Sequence, residues 1–390
     1  MTSSTARAFF KETARRWRTT VTNRLVMKEF AEFCAAPPTR RALLSYLVLP
    51  LRVPGRFRNR IRFSNAGIAQ EMVRSLNEIG YSVDIVNFDN DCWRPRDRYD
   101  VFIGHAGVNY ERISRSLIRP VREIYFSTGL YWRENNRREA ERLRSIAERR
   151  GVALEPERVC AQAEEYPAQH AGAIICLGNH EAAKSYSFRQ NVFAINNGCF
   201  PVTGDPTAQK DFESARRHFL FFSGPGNVHK GLDLLLEAFQ GTELQLHVCQ
   251  AIEPAFARAF RVELRAPNVH LHGVVPMRSS RFLGLARRCD WVILPTCAEG
   301  QPGSVIECMA HGLIPILSSA ANIDVGNLGV VIPLDARAIR GTCEAASAAP
   351  IAEVKDRAVA TVRTIRKQYS DASFREAFSR TVQNVLHGSA

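Results

Sequence analysis

The stretch Asp290-Trp-Val-Ile-Leu-Pro-Thr-Cys-Ala-Glu-Gly-Gln-Pro-Gly-Ser-Val-Ile-Glu-Cys-Met-Ala-His-Gly-Leu-Ile-Pro-Ile-Leu317 decides the fold. Trp291 to Pro295 is a short apolar run that reads as a buried strand. It opens into a loop holding Gly300, Pro302 and Gly303. Val305, Ile306, Met309 and Ala310 then recur at helical spacing, and Gly312 ends that helix before a second buried strand, Leu313 to Leu317. Strand, loop, helix, strand is the unit of a doubly wound α/β sheet. Ligands of such sheets sit at the carboxyl ends of the strands, where helix amides and the helix dipole favour anions. Two glutamates lie eight residues apart, Glu299 on the loop and Glu307 inside the helix. Taken singly they are a loop solvator and a helix surface charge. Together they suit a ligand that offers hydroxyls to the carboxylates and a phosphate to the amides between them.

The Glu299–Glu307 spacing, with Gly300 after the first and Met309-Ala310-His311-Gly312 after the second, resembles the retaining GT-B glycosyltransferases of family 4, the glycosyl transferases group 1. The resemblance extends over most of residues 217–335 and more weakly over 60–200. It implies two Rossmann-like doubly wound domains facing a central cleft. It also implies a hexosyltransferase-like enzyme that takes a nucleotide-diphosphate sugar as donor and uses no metal.

A chain of 390 residues suggests two domains of similar size. With 45% hydrophobic and 23% charged residues the composition is that of a globular protein. No apolar run reaches the ~18–20 residues that span a bilayer. Residues 1–30 are basic and lack the continuous apolar core of a secretory signal. Ten cysteines are scattered without C-x-x-C pairs, which favours free thiols in a reducing compartment over a disulfide frame or zinc site. A cytoplasmic location is expected.

The net charge of +13 is unevenly placed, since residues 1–62 hold 14 Lys/Arg against 3 Asp/Glu. That segment suits an anionic membrane surface, or else reflects the chain's general preference for arginine; no motif accompanies it that would point to nucleic acid. Residues 1–34 read as a basic amphipathic helix, with Phe9, Phe10, Trp17, Val21, Leu25, Val26, Phe30 and Phe33 at roughly helical spacing. Such a helix lies on a membrane, peripheral to its inner face, or packs on the body of the protein.

Leu43 to Leu49 reads as the first strand. The loop after it carries Arg58, Arg60 and Arg62, and with Asn65 and Gly67 at the start of the next helix these are candidates for the acceptor side, though solvated loop arginines look the same. Asp89-Asn-Asp91 ends the following strand. Asp-x-Asp can hold a metal, but a turn rich in Asp and Asn is what any strand exit shows. Tyr99 to Gly107 is a buried strand running into His105, at a carboxyl end facing the expected cleft. Glu134 to Arg150 reads as a charged, solvated helix. Residues 201–216, with Pro201, Gly204 and Pro206, read as the connection between domains.

Phe219 to Ser223 opens a second sheet and leads into Gly224-Pro-Gly-Asn-Val-His-Lys230-Gly231-Leu-Asp233. A glycine-rich turn between strand and helix lets amides approach a phosphate, and a lysine at its end supplies countercharge. The turn resembles the family's phosphate site, with one departure: Pro225 stands where the family usually has an arginine against the leaving diphosphate. His270 and His272 share a strand face and read as structural, without a third ligand in reach.

The resulting division is a basic extension (1–37), an acceptor-side domain (38–200), a linker (201–216), a donor-binding domain (217–368) and a last helix (369–390) crossing back to the first domain. Glu299, His105 and Lys230 are the expected catalytic residues. Gly224, Gly226, Lys230, Gln301, Gly303, Ser304, Val305 and Glu307 are the expected donor contacts. The expected reaction is retaining transfer of a sugar from a UDP- or GDP-sugar to a glycan or lipid-linked acceptor in cell-surface polysaccharide synthesis. The alternatives are a sugar-nucleotide epimerase or hydrolase, and a catalytically silent nucleotide-sugar or membrane-binding protein.

Overall fold

A computed structural model describes residues 24–53, 64–105 and 109–388. Arg58, Arg60, Arg62 and residues 1–23 of the basic extension lie outside the described residues. Two sheets organise the chain. The first has seven strands in the order β1-β3-β2-β4-β5-β6-β7: β1 (Val26–Phe30), β2 (Arg40–Tyr46), β3 (Tyr81–Asn87), β4 (Val101–His105), β5 (Arg122–Ser127), β6 (Ala173–Leu177) and β7 (Val192–Ile195). All its pairings are parallel except β1 with β3. The second has six parallel strands in the order β10-β9-β8-β11-β12-β13: β8 (His218–Phe222), β9 (Gln245–Cys249), β10 (Val269–Leu271), β11 (Trp291–Leu294), β12 (Ile314–Ser318) and β13 (Val330–Ile332). Helices on both faces make this the expected α/β architecture. Central strands read as continuous apolar runs because both of their faces are covered.

The strand–loop–helix–strand unit forms as its pattern predicts. Trp291 pairs with Ile314 and Leu294 with Leu317, and the helix Gly303–Ala310 buries Val305, Ile306, Met309 and Ala310. Gly312 follows it at φ 81°, the left-handed conformation that stops a helix.

Three local expectations are corrected. The helix expected over residues 1–34 is, in its described part, strand β1. It covers the open edge of β3 in antiparallel register, Val26 opposite Val86, and Phe30 joins the core. Backbone pairing at an unprotected sheet edge outweighs the helical spacing of its apolar residues. Strand β2 also ends at Tyr46, before the expected Leu49, because Pro50 sits in the first turn of a short helix, Leu49–Arg52.

The helix Trp132–Arg150 is not the solvated element its charges suggested. Ile146 belongs to the core of the second sheet. Arg142 Nη2 donates to both carboxylate oxygens of Asp233 (2.9 and 2.7 Å), whose side chain is 0% exposed. Arg149 also reaches Asp233, and Arg150 reaches Glu263. Its arginines thus pair with the other half of the molecule as well as within their own helix.

The last helix, Asp371–His387, packs on the helix Ser64–Glu78, with Phe374, Phe378 and Val382 in the core of the first sheet and Arg375 Nη1 2.7 Å from Glu71 Oε2. Within the connection, Lys210 is buried against Asp290 (3.5 Å) and donates to the Cys289 carbonyl (2.6 Å). That contact ties residues 201–216 to the start of β11.

Candidate active site

The glycine-rich turn and the Glu299 loop are stitched together by backbone contact. Cys297 N donates to the His229 carbonyl (2.9 Å). Gly231 sits at φ 80°, and any Cβ there would come within 2.1 Å of the Pro295 carbonyl oxygen. Only glycine allows that approach. It delivers Lys230 to Glu299: Lys230 Nζ donates to Glu299 Oε1, with the two side chains 8% and 11% exposed. Thr296 Oγ1 lies 3.0 Å from the same carboxylate oxygen, and Asn322 Nδ2 donates to the Glu299 carbonyl (2.7 Å).

Burial alone would push the Glu299 carboxyl up. Lys230, His229 and Arg158 outweigh it and hold the group below its ordinary value of 4.5. His229 is the opposite case. Burial disfavours its charged ring, yet the Cys297 thiol and the Glu139 and Glu299 carboxylates push it up to about 9. It is therefore an imidazolium at neutral pH, donating through Nε2 to the Ala298 carbonyl (2.6 Å) with Nδ1 3.8 Å from Glu139.

The helix Gly303–Ala310 begins beside this pair. Its first bonded amides are those of Val305 and Ile306, both to the Pro302 carbonyl, so the Gly303 and Ser304 amides precede the helix's own hydrogen bonds. Both residues are half-buried. Gly224 and Pro225 are exposed, with open space around Gly224.

Other expected contacts are occupied. The Val305 side chain is in the core. Gln301 accepts from the Asn197 amide (2.6 Å) and donates to Asn196 Oδ1 (3.1 Å) and the Asn322 carbonyl (2.9 Å), fastening the loop to the end of β7. Glu307 is 2% exposed and takes both nitrogens of an Arg278 fork, Nε on Oε1 and Nη2 on Oε2. Arg278 holds φ 59°, rare for a residue with a side chain, and stacks over Phe200. A cavity of about 620 Å³ runs beside it, lined by Phe200, Pro206, Arg287 and His311, along the connection and not at Lys230.

His105 ends β4. Its Nδ1 donates to the Phe126 carbonyl (3.0 Å), and its ring meets the edges of Tyr46 and Phe88. Burial lowers its pKa, partly offset by that carbonyl, so it is a neutral ring with Nε2 left as acceptor. These contacts all lie in the first half of the molecule; none reaches Lys230 or Glu299. Gly67 packs on Phe200 and Asp371, at the seam of connection and last helix, while Asn65 is exposed in the first turn of its helix. Asn90 of the Asp89–Asp91 turn accepts from the Cys92 and Trp93 amides (3.1 and 2.9 Å), as a strand exit does. The ten cysteines are free thiols.

His270 and His272 do have further imidazoles in reach. The order β10-β9-β8 puts His247 Nδ1 3.0 Å from His272 Nε2 and His247 Nε2 2.9 Å from His218 Nδ1. Burial and its neighbours push His247 down to about 3, so the rings pack as neutral, hydrogen-bonded imidazoles. Among the described residues no group of three or more ligating side chains is arranged to hold a metal.

Sequence reading missed His229, Arg158, Arg278 and Arg142. Only the histidine gave a local signal, its place beside Lys230.

Residues 216–346 match the model of the family described as glycosyl transferases group 1. No curated protein matches the chain in sequence. Among solved structures, TarM of S. aureus, solved with fondaparinux, alpha-GlcNAc-glycerol and UDP, is similar at TM-score 0.53 and 14% identity over 73% of this chain. The chain spans only 55% of TarM's own length. Sucrose-phosphate synthase from Thermosynechococcus elongatus is similar at TM-score 0.60 and 15% identity, over 91% of this chain and 100% of its own. HepE of Anabaena, solved with UDP and glucose, gives 0.56 and 12% over 88% and 99%. The resemblance expected from the Glu299–Glu307 stretch is thus found in sequence over the second sheet, and the GT-B fold is found over both.

Proposed function

We propose that the protein is a retaining glycosyltransferase that moves a sugar from a UDP- or GDP-sugar to a glycan or lipid-linked acceptor in cell-surface polysaccharide synthesis. The observation that carries this reading is the buried Lys230–Glu299 pair at the junction of the glycine-rich turn and the Gly303–Ala310 helix. Residues 217–368 would bind the donor and 38–200 face the acceptor, with 201–216 as the connection. The reaction breaks the bond between the anomeric carbon and a diphosphate oxygen, which keeps the electron pair. The acceptor oxygen takes the carbon on the same face, and its proton passes to the departing diphosphate.

Lys230 and the amides of Gly224, Gly303 and Ser304 meet the growing negative charge, and the Gly226 amide joins them only on leaving the Glu157 carboxylate it now faces. Glu299 faces the sugar hydroxyls and the positive charge developing at carbon. Glu307 accepts from the ribose at the carboxylate that Arg278 now holds. His105, a neutral acceptor at Nε2, lines the acceptor side. No metal is assigned to these steps; Lys230 supplies the charge. Titration with UDP- and GDP-sugars, followed by mass spectrometry of released nucleotide, tests this: binding with slow release of nucleoside diphosphate supports a transferase without its acceptor, and an isomerised sugar would mean an epimerase.

A second reading, a protein that binds nucleotide sugar without turning it over, is favoured by Pro225, which brings neither charge nor N–H to the turn. Binding with no released nucleotide would establish it. The basic extension supports a cytoplasmic protein held peripherally at an anionic membrane surface; among the described residues no helix is long and apolar enough to cross a membrane.

A further inference from the structure

We propose that Arg158 is the second cation of the leaving-diphosphate site, carried to the glycine-rich turn by the opposite half of the molecule. This rests on the donor reading above and supplies the charge that Pro225 lacks. The stem of Arg158 lies across Gly226: a Cβ on that glycine would come 2.7 Å from Arg158 Cγ and 3.2 Å from Cδ. Gly226 itself sits at φ 104°, so the turn has no side chain to hold the arginine off.

The backbone that carries Arg158 is pinned on two sides. Glu139, on the helix Trp132–Arg150, accepts from the amides of Glu157 (2.9 Å) and Arg158 (2.8 Å), and Asn135 Nδ2 donates to the Arg158 carbonyl (2.9 Å). Glu157 in turn accepts from the Asn227 amide (2.8 Å), one residue beyond Gly226. The segment is therefore docked on the turn and not merely passing it.

The other cations around the turn are already shared with carboxylates. Lys230 is held by Glu299, and His229 lies buried between the Ala298 carbonyl and Glu139. Arg142, Arg149 and Arg150 pair with Asp233, Glu237 and Glu263, and Arg138 pairs with Glu134. Among the described residues the Arg158 guanidinium makes no ion pair or hydrogen bond, and it is exposed. It is still close enough to help hold Glu299 ionised. A nucleoside diphosphate brings two or more negative charges, and a guanidinium fork can take a phosphate through two parallel hydrogen bonds. With Lys230 from one half and Arg158 from the other, the departing diphosphate is neutralised only while the two halves are together.

The test compares the nucleoside diphosphate that the wild type binds, UDP or GDP, with its monophosphate, by titration calorimetry on the full chain. Arg158→Ala should weaken the diphosphate by about ten- to a hundredfold, the range of a lost charge-assisted contact, and leave the monophosphate within about twofold. Arg158→Lys should recover part of the loss. The variant's melting temperature, expected unchanged, reports that it is folded. Wild-type affinity for the diphosphate in Arg158→Ala would overturn the proposal, as would an equal loss for both nucleotides. Failure of the wild type to bind any nucleotide would instead sink the donor reading beneath it.

Discussion

Lys230 Nζ donates to the carboxylate of Glu299 across 69 residues of sequence, and the pair is nearly enclosed, with 8% and 11% of the side chains exposed. Neither charge would rest there alone, since an unpaired buried ion costs about 3–5 kcal/mol. The loops that bring them together meet through Gly231 and Pro295, at a separation only glycine permits. The position therefore looks built for the pair.

If the pair works as a unit at the diphosphate, Lys230→Ala and Glu299→Ala should each reduce nucleotide release by at least about a hundredfold, the scale of one lost electrostatic contact to a transition state. The double variant should lose about as much as either single one. Single-turnover release of nucleoside diphosphate measures all three. Additive losses would mean the residues act at separate points.

His229 sets a pH dependence of stability. Its folded value of about 9 lies above the ordinary 6.5, so its contribution is fully present below pH 6.5 and is lost as pH rises through about 9. Glu299, held below 4.5, contributes above that value and loses its contribution on acidification. The melting temperature should fall between pH 7 and 9.5, and His229→Gln should flatten that limb. A wild-type curve level over this range would show that the ring is not charged.

Gly300 is where the two halves touch backbone to backbone. A methyl there would come 2.3 Å from the Thr128 carbonyl oxygen and 3.0 Å from the Gly129 amide nitrogen. Gly300→Ala should hold the halves apart and lower nucleotide release by about tenfold or more, since small misplacements in a site carry penalties of that order. Small-angle scattering should show a wider particle. Unchanged scattering and unchanged rate would remove closure from the account.

The basic extension can be removed with every described strand left in place, because β1 begins at Val26. Removing residues 1–23 takes away Arg7, Lys11, Arg15, Arg16 and Arg18. Sedimentation with phosphatidylserine vesicles should weaken, at about 1 kcal/mol per basic residue near the surface, and salt should weaken the full chain in the same way. Equal sedimentation with and without the segment would end the membrane reading.

The parallel core was legible because buried strands are continuous apolar runs closed by glycine or proline, as Trp291 to Pro295 is. Lys230 and Glu299 were legible because each sits at a strand exit with a local pattern of its own. Strand β1 was not, since only Phe30 of its five residues is buried and its partner β3 lies more than fifty residues on. The seam was hidden for a similar reason. Arg142 belongs to a helix whose many opposite charges read as self-paired, Arg158 follows it with no pattern of its own, and their contacts with Asp233 and Gly226 join residues far apart in sequence. The Arg278 fork on Glu307 joins residues 29 apart through a left-handed backbone that no periodicity announces.

The most direct test is calorimetric titration of the full chain with a panel of UDP- and GDP-sugars, repeated on Lys230→Ala. The account predicts saturable binding of one nucleotide class by the wild type, with slow release of its diphosphate, and loss of both in the variant. Failure of every nucleotide sugar to bind, or undiminished binding and release without Lys230, would contradict it.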